Sequence, residues 1–151
     1  MPTTPRETIY STIFNQLKEA VVAPLNFVTA SRRLISWDKL DASQQPALFM
    51  QQVKEVPTVQ GRGMPTKWEL YLDITIYANT GNDENLIPSS FINPAIDIIE
   101  GLFPGAATGN YQTLGIPGVS EIRIQGNDII YHEGLLGSQI VAVIPLYVLA
   151  T

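Results

Sequence analysis

The stretch Thr66–Ala78 constrains this chain more than any other. Trp68, Leu70, Leu72, Ile74 and Ile76 alternate with Lys67, Glu69, Tyr71, Asp73, Thr75 and Tyr77. Successive side chains of a strand point to opposite faces, so one face is aliphatic and the other is polar with tyrosines. Alternation sustained this long predicts a central antiparallel strand with one packed face and one wet face.

The flanking segments supply partners for that strand. Thr4-Pro5-Arg6-Glu7 reads as an N-cap threonine, a proline at the first helical position and a capping-box glutamate. Ile9, Ile13, Leu17 and Ala20 follow at helical spacing, with Tyr10, Phe14 and Val21 widening the stripe, and Pro24 ends the helix. Asn26–Ile35 reads as a strand and Ser36–Pro46 as irregular. Ala47–Val56 fits a short helix or a half-buried strand; a strand is favoured, because ten residues between Pro46 and Pro57 make a marginal helix. Gln60–Pro65 and Asn79–Pro88 are loops by composition.

A second helix is expected from about Ser90 to Phe103, where Ile92, Ile96, Ile99 and Phe103 share a face. Either Ser90 or Asn93 serves as its cap, and Pro104-Gly105 stops it. Ala106–Gly118 is a glycine-rich loop. Short strands are expected over Val119–Gln125 and Ile129–His132, with turns at Gly126–Asp128 and Gly134–Gly137. A long apolar strand covers Ser138–Leu149, with Pro145 marking an edge or a bulge. The expected fold is α+β: a mainly antiparallel β-sheet with two α-helices packed on one face, as a single domain over residues 1–151.

A chain of 151 residues can bury one core without staples. Charged residues make up 15%, against roughly 25% in an average soluble domain. So few charges on so much surface mean either many exposed uncharged polar groups or burial against other subunits, and the second is favoured. A net charge of −5 argues against a nucleic-acid-binding domain, which needs a basic stripe. The absence of cysteine excludes a disulfide scaffold, thiol catalysis and Cys-based zinc sites. No leader is recognisable at the N-terminus, and no apolar run reaches the ~20 residues of a membrane helix. A soluble chain inside the cell, or released by lysis, is expected.

Chemistry-bearing motifs are sparse. His132 is the single histidine, which rules out a two-histidine metal site and makes any catalytic triad depend on it. Asp97 and Glu100 stand three apart on the second helix, opposite its isoleucine stripe, and read as a solvated face. Asp83-Glu84 lies in a loop that lacks the alternating ligands and closing glutamate of an EF-hand. Gly61-Arg62-Gly63 has neither the Gly-Lys-Ser/Thr end of a P-loop nor a dinucleotide fingerprint. No metal or organic cofactor is expected.

Several stretches, taken in order, resemble one family. They are Val28-Thr29-Ala30-Ser31-Arg32-Arg33-Leu34, then Trp37 with Gln45-Pro46-Ala47-Leu48-Phe49, then Pro65-Thr66-Lys67-Trp68 and Tyr77-Ala78-Asn79-Thr80-Gly81. Later come Ile92-Asn93-Pro94-Ala95-Ile96-Asp97-Ile98-Ile99-Glu100, Gln112-Thr113-Leu114-Gly115 and Glu133-Gly134-Leu135-Leu136-Gly137. In this order and spacing the chain, from about residue 10 to residue 149, resembles the phage tail terminator proteins, also called tail completion or minor tail protein U-like proteins.

The resemblance implies a virion subunit, assembled in the host cytoplasm, that closes into a hexameric ring at the tail–neck junction. Such a ring caps the tail tube protein, stops elongation and meets a head-neck connector protein, while DNA passes transiently through the lumen. It implies neither catalysis nor a membrane. A closed ring uses heterologous contacts, each patch meeting a different patch on the next copy. Arg32, Arg33 and Arg62, the densest basic features, are the expected inter-subunit ion-pair residues. Trp37, in an irregular polar stretch, is either a core plug or an interface anchor. The alternatives are a head–tail connector or stopper, a small hydrolase centred on His132, and a ligand-binding module.

Overall fold

The computed structural model describes residues 1–104, 111–125, 129–132 and 137–151, with Ile130 and His132 described in the backbone alone. The alternating stretch is a strand over Lys67–Asn79, hydrogen-bonded to a neighbour on each side along its length. In chain order the elements are α1 (Arg6–Leu17), β1 (Thr29–Ser31), β2 (Ala47–Thr58), β3 (Lys67–Asn79), α2 (Pro88–Leu102), β4 (Val119–Ile124), β5 (Ile130–His132) and β6 (Gln139–Ala150). The strands lie in the order β1-β2-β3-β6-β4, and β5 pairs with β6 past the end of β4. Only the β1–β2 pairing is parallel; the others are antiparallel. The expected α+β class and helix-to-strand order hold. Among the described residues no helix is long and apolar enough to cross a membrane.

Both helices cover one face of the sheet. Leu70, Leu72, Ile74 and Ile76 of β3 are buried there beside Ile140, Ile144 and Leu146 of β6, beneath Ile9, Ile13 and Leu17 of α1 and Ile92, Ile96 and Ile99 of α2. The α1 stripe keeps a spacing of four as far as Val21. A straight α-helix would drift off that face, but the turn Lys18–Val22 is π-helical, with the Ala23 N–H reaching the Lys18 carbonyl at 2.9 Å. The wider turn brings Val21 into the core. The opposite face holds a smaller cluster, in which Leu40 lies on Phe49, Tyr77 and Val141. A buried amide pair ties this side together: Gln45 Nε2 donates to Gln139 Oε1 at 2.9 Å and Gln139 Nε2 donates back to Gln45 Oε1 at 2.8 Å.

Four local expectations are corrected. Thr4 does not cap α1; it is buried, its hydroxyl donates to the Pro117 carbonyl, and Pro5 takes the cap position. Glu7 instead accepts from Arg32. The strand expected over Asn26–Ile35 shrinks to Thr29–Ser31, because the chain turns away where Ser31 Oγ accepts the Arg33 N–H. α2 starts at Pro88, earlier than Ser90 or Asn93, and Pro94 lies inside it. Pro94 and Ser90 are both exposed, so the Ser90 carbonyl that loses its helical partner faces water.

Pro145 marks neither an edge nor a bulge. It lies within β6, opposite Asp73 on one side. On the other side its carbonyl accepts the Gln125 N–H at 2.9 Å, just where β4 has ended opposite Leu146 and β5 begins opposite Val143. The N–H that proline lacks would face Gln125 as well, so the reciprocal bond of that pair is missing and the β4 ladder ends there.

The N-terminal segment and the last strand are stapled at Gly118. Thr3 N–H donates to the Thr151 carbonyl at 2.7 Å and Thr151 N–H donates to the Gly118 carbonyl at 2.8 Å. Gly118 has φ of +80°, and a Cβ there would lie 2.9 Å from the Thr151 carbonyl oxygen. Gly118→Ala should destabilise the fold by about 2 kcal/mol or more in urea unfolding. An unchanged midpoint would show that the staple bears no load. Gln139→Leu, which strands the Gln45 amide, should cost about 1–3 kcal/mol by the same measurement, and a neutral result would refute the pairing.

Candidate assembly interface

The bulge in β2 decides what the surface presents. Register shifts between Gln52 and Lys54, leaving Val53 as the extra residue, 53% exposed. A one-residue slip exchanges the two faces of a strand. Past Val53, therefore, Glu55 turns toward α1, where Arg6 Nε meets its Oε2 at 2.6 Å and the Tyr10 hydroxyl donates to its Oε1 at 2.7 Å. Burial first, and then this carboxylate, push the Tyr10 phenol well above its ordinary pKa.

Lys54 turns the other way, onto the wet face. There Lys54, Tyr71, Tyr147 and Arg123 stand directly opposite one another across β2, β3, β6 and β4. The Lys54 ammonium lies 4.7 Å from the Tyr71 ring centroid and the Arg123 guanidinium 4.5 Å from that of Tyr147, with the two rings edge-on at 5.5 Å. The Tyr147 hydroxyl donates to Glu69 Oε1 at 2.9 Å. Burial and that carboxylate raise its pKa. The row is satisfied within the chain and stiffens the sheet.

The four expected interface residues fall in two places. Arg32, Arg33 and Trp37 lie on the segment that leaves β1. Arg32 is engaged within the chain, donating to Glu7 and, at 3.2 Å, to Gln52 Oε1, and it holds the Glu7 carboxyl below its ordinary pKa. Arg33 is exposed with no ion pair among the described residues; with Leu34, Ile35 and Lys39 it lines a shallow cleft. Trp37 is 38% exposed in a short 3-10 turn and does not plug the core. Arg62 lies apart from these, at the exposed tip of the β2–β3 hairpin, likewise without an ion pair among the described residues.

Exposed apolar side chains reveal more of the surface. Val53, Val56, Val59 and Met64 stand out along the outer half of β2 and its hairpin. β1 covers β2 only over Ala47–Phe49, so past Phe49 that edge pairs with no further strand among the described residues. Leu86, Ile87, Phe91 and Tyr131 are exposed as well, on the loop before α2, on α2 itself and on β5. Alternation misses these residues, because an exposed valine past a bulge looks like any strand valine.

The loop Thr80–Leu86 and Ser138 border an open cleft of about 530 Å³ that includes Asp83 and Glu84. Among the described residues no three histidine, aspartate or glutamate side chains gather as a metal would need. The His132 side chain, residues 106–110 of the Ala106–Gly118 loop, the expected turn at Gly126–Asp128 and residues 134–136 of the expected turn at Gly134–Gly137 lie outside the described residues. No family model matches this chain, and no curated protein matches it either.

Asp73 gives a pH test of the wet face. Its carboxyl sits opposite Gln51 and Pro145 with no hydrogen bond or ion pair among the described residues, and burial raises its pKa above the ordinary 3.8. A folded-state pKa above the unfolded value means the folded chain binds the proton more tightly. The stability from this group is full below 3.8 and is lost as pH rises through the raised value. Asp73→Asn should therefore raise Tm at about pH 7 and lose that advantage by about pH 3. Equal shifts at both pH values would mean that the effect is packing rather than charge.

Proposed function

We propose that this chain is a structural subunit of a phage tail–neck junction. It closes head-to-tail into a ring, six-fold as the resemblance implies, that caps the tail tube and joins it to the neck. The observation that carries the assembly part is the uncovered outer half of β2, where Val53, Val56, Val59 and Met64 are exposed beside an unpaired strand edge. Such an edge on a free monomer invites association. The resemblance of the stretches between residues 10 and 149 supports the tail-terminator reading, and the low charge content supports a subunit with several neighbours. The role is architectural, with DNA as a passing occupant of the lumen.

Deleting the gene from its phage should yield tails of irregular, excessive length under the electron microscope. Normal-length free tails beside unjoined heads would instead assign the chain to the head side, as a connector or stopper. In the purified protein, Trp37→Ala should leave the unfolding midpoint within about 1 kcal/mol of wild type, because the indole is part exposed, while weakening ring formation about tenfold or more. A variant that assembles as tightly as wild type would remove Trp37 from the interface.

A further inference from the structure

Charge is divided along this chain, and the fold carries the division to opposite sides of the sheet. Residues 27–67 hold six basic and three acidic side chains, whereas residues 68–151 hold one basic and nine acidic. The basic stretch builds β1, β2 and the hairpin, on one side of β3. Arg33 and Arg62 are exposed there and unpaired among the described residues.

On the far side of the sheet, β5 lies against β6. Asp97 and Glu100 are exposed on α2 and close to β5: after burial, the negative charges of Glu100 and Asp97 are what raise the Tyr131 phenol pKa. Neither carboxylate has an ion-pair partner among the described residues. The exposed valines and Met64 lie along β2 and its hairpin, and Tyr131 is exposed on β5 near the two carboxylates. The two surfaces thus carry uncompensated charge of opposite sign.

We infer that copies of this chain dock through these two corners, the Arg33/Arg62 side of β2 and its hairpin on one copy meeting the Asp97/Glu100 side of α2 and β5 on the next. The occupant of each corner is a second copy of the chain, so the inference rests on the assembly reading above and specifies its contact. A two-fold contact centred on either corner would set like charges against each other. A head-to-tail contact sets opposite charges together and leaves one corner of each sign free for the next copy. Repetition of that contact makes a ring if the rotation closes. Between exposed charges it weakens as salt rises.

The test uses the full chain in sedimentation velocity over a concentration series, at low and at high salt. One variant combines Arg33→Glu with Arg62→Glu, and a second combines Asp97→Lys with Glu100→Lys. All four positions are exposed, so the unfolding midpoints should match wild type and any loss should be one of association. Wild type should self-associate, more strongly at low salt, and each variant alone should do so at least about tenfold more weakly. An equimolar mixture should recover association, because the intact basic corner of one variant meets the intact acidic corner of the other, and the two reversed corners also match.

Variants that associate like wild type, a mixture that stays dissociated, or a wild type that remains monomeric throughout would each overturn this contact. Rings unaffected by the reversals would overturn the corner assignment and leave the ring intact. Normal-length tails after gene deletion would overturn the terminator role, whatever the corners do.

Discussion

The structure depends on β3 being hydrogen-bonded on both sides over nearly its full length, to β2 along one edge and to β6 along the other. A strand held this way cannot slip, because a shift of one residue would carry Leu70, Leu72, Ile74 and Ile76 out of the core and Glu69, Asp73 and Thr75 into it. The faces of β2 and β6 are set by that register. The helices then have one apolar surface to cover, and the isoleucine and leucine stripes of α1 and α2 both lie on it.

Against this rigid centre, two departures from regularity shape the surface. The bulge at Val53 reverses the faces of β2 partway along, which gives Glu55 to α1 and Lys54 to the wet face. The reciprocal amide pair of Gln45 and Gln139 anchors the irregular segment before β2 to the start of β6. That anchor holds Leu40 over Phe49 and Tyr77, and leaves Leu34, Ile35 and Trp37 part exposed on the chain between β1 and the anchor. A buried pair of this kind has to be fully satisfied, since a lone amide in that position would cost more than an apolar replacement.

The surface that results has a direction. Exposed, unpaired arginines lie on the β1–β2 side of β3, and the carboxylates of Asp97 and Glu100 lie near β5 on the other. Under the proposed head-to-tail contact, such a molecule adds copies in sequence. Two of its internal ion pairs, Arg6 with Glu55 and Arg32 with Glu7, lie between α1 and the segments it packs on, so they hold the monomer together.

Periodicity alone determined the α+β class, the central strand, both helices and their shared face, because burial on one side imposes a repeat that tertiary packing does not alter. β2 was legible between Pro46 and Pro57, although the strand runs on through Pro57, opposite Trp68, to Thr58, and the hairpin was legible through Gly61 and Gly63. Arg33, Trp37 and Arg62 could be singled out as residue types suited to an interface. Tertiary structure alone decided that Arg32 is committed to Glu7, that Thr4 serves Pro117 rather than its helix, and that Pro145 sits inside a central strand, where the pairing with β4 stops. It also decided that the bulge exchanges the roles of Lys54 and Glu55. Each of these depends on which backbone or side chain arrives from a distant part of the chain. A local pattern records how often a residue turns inward and carries no information about what it meets there.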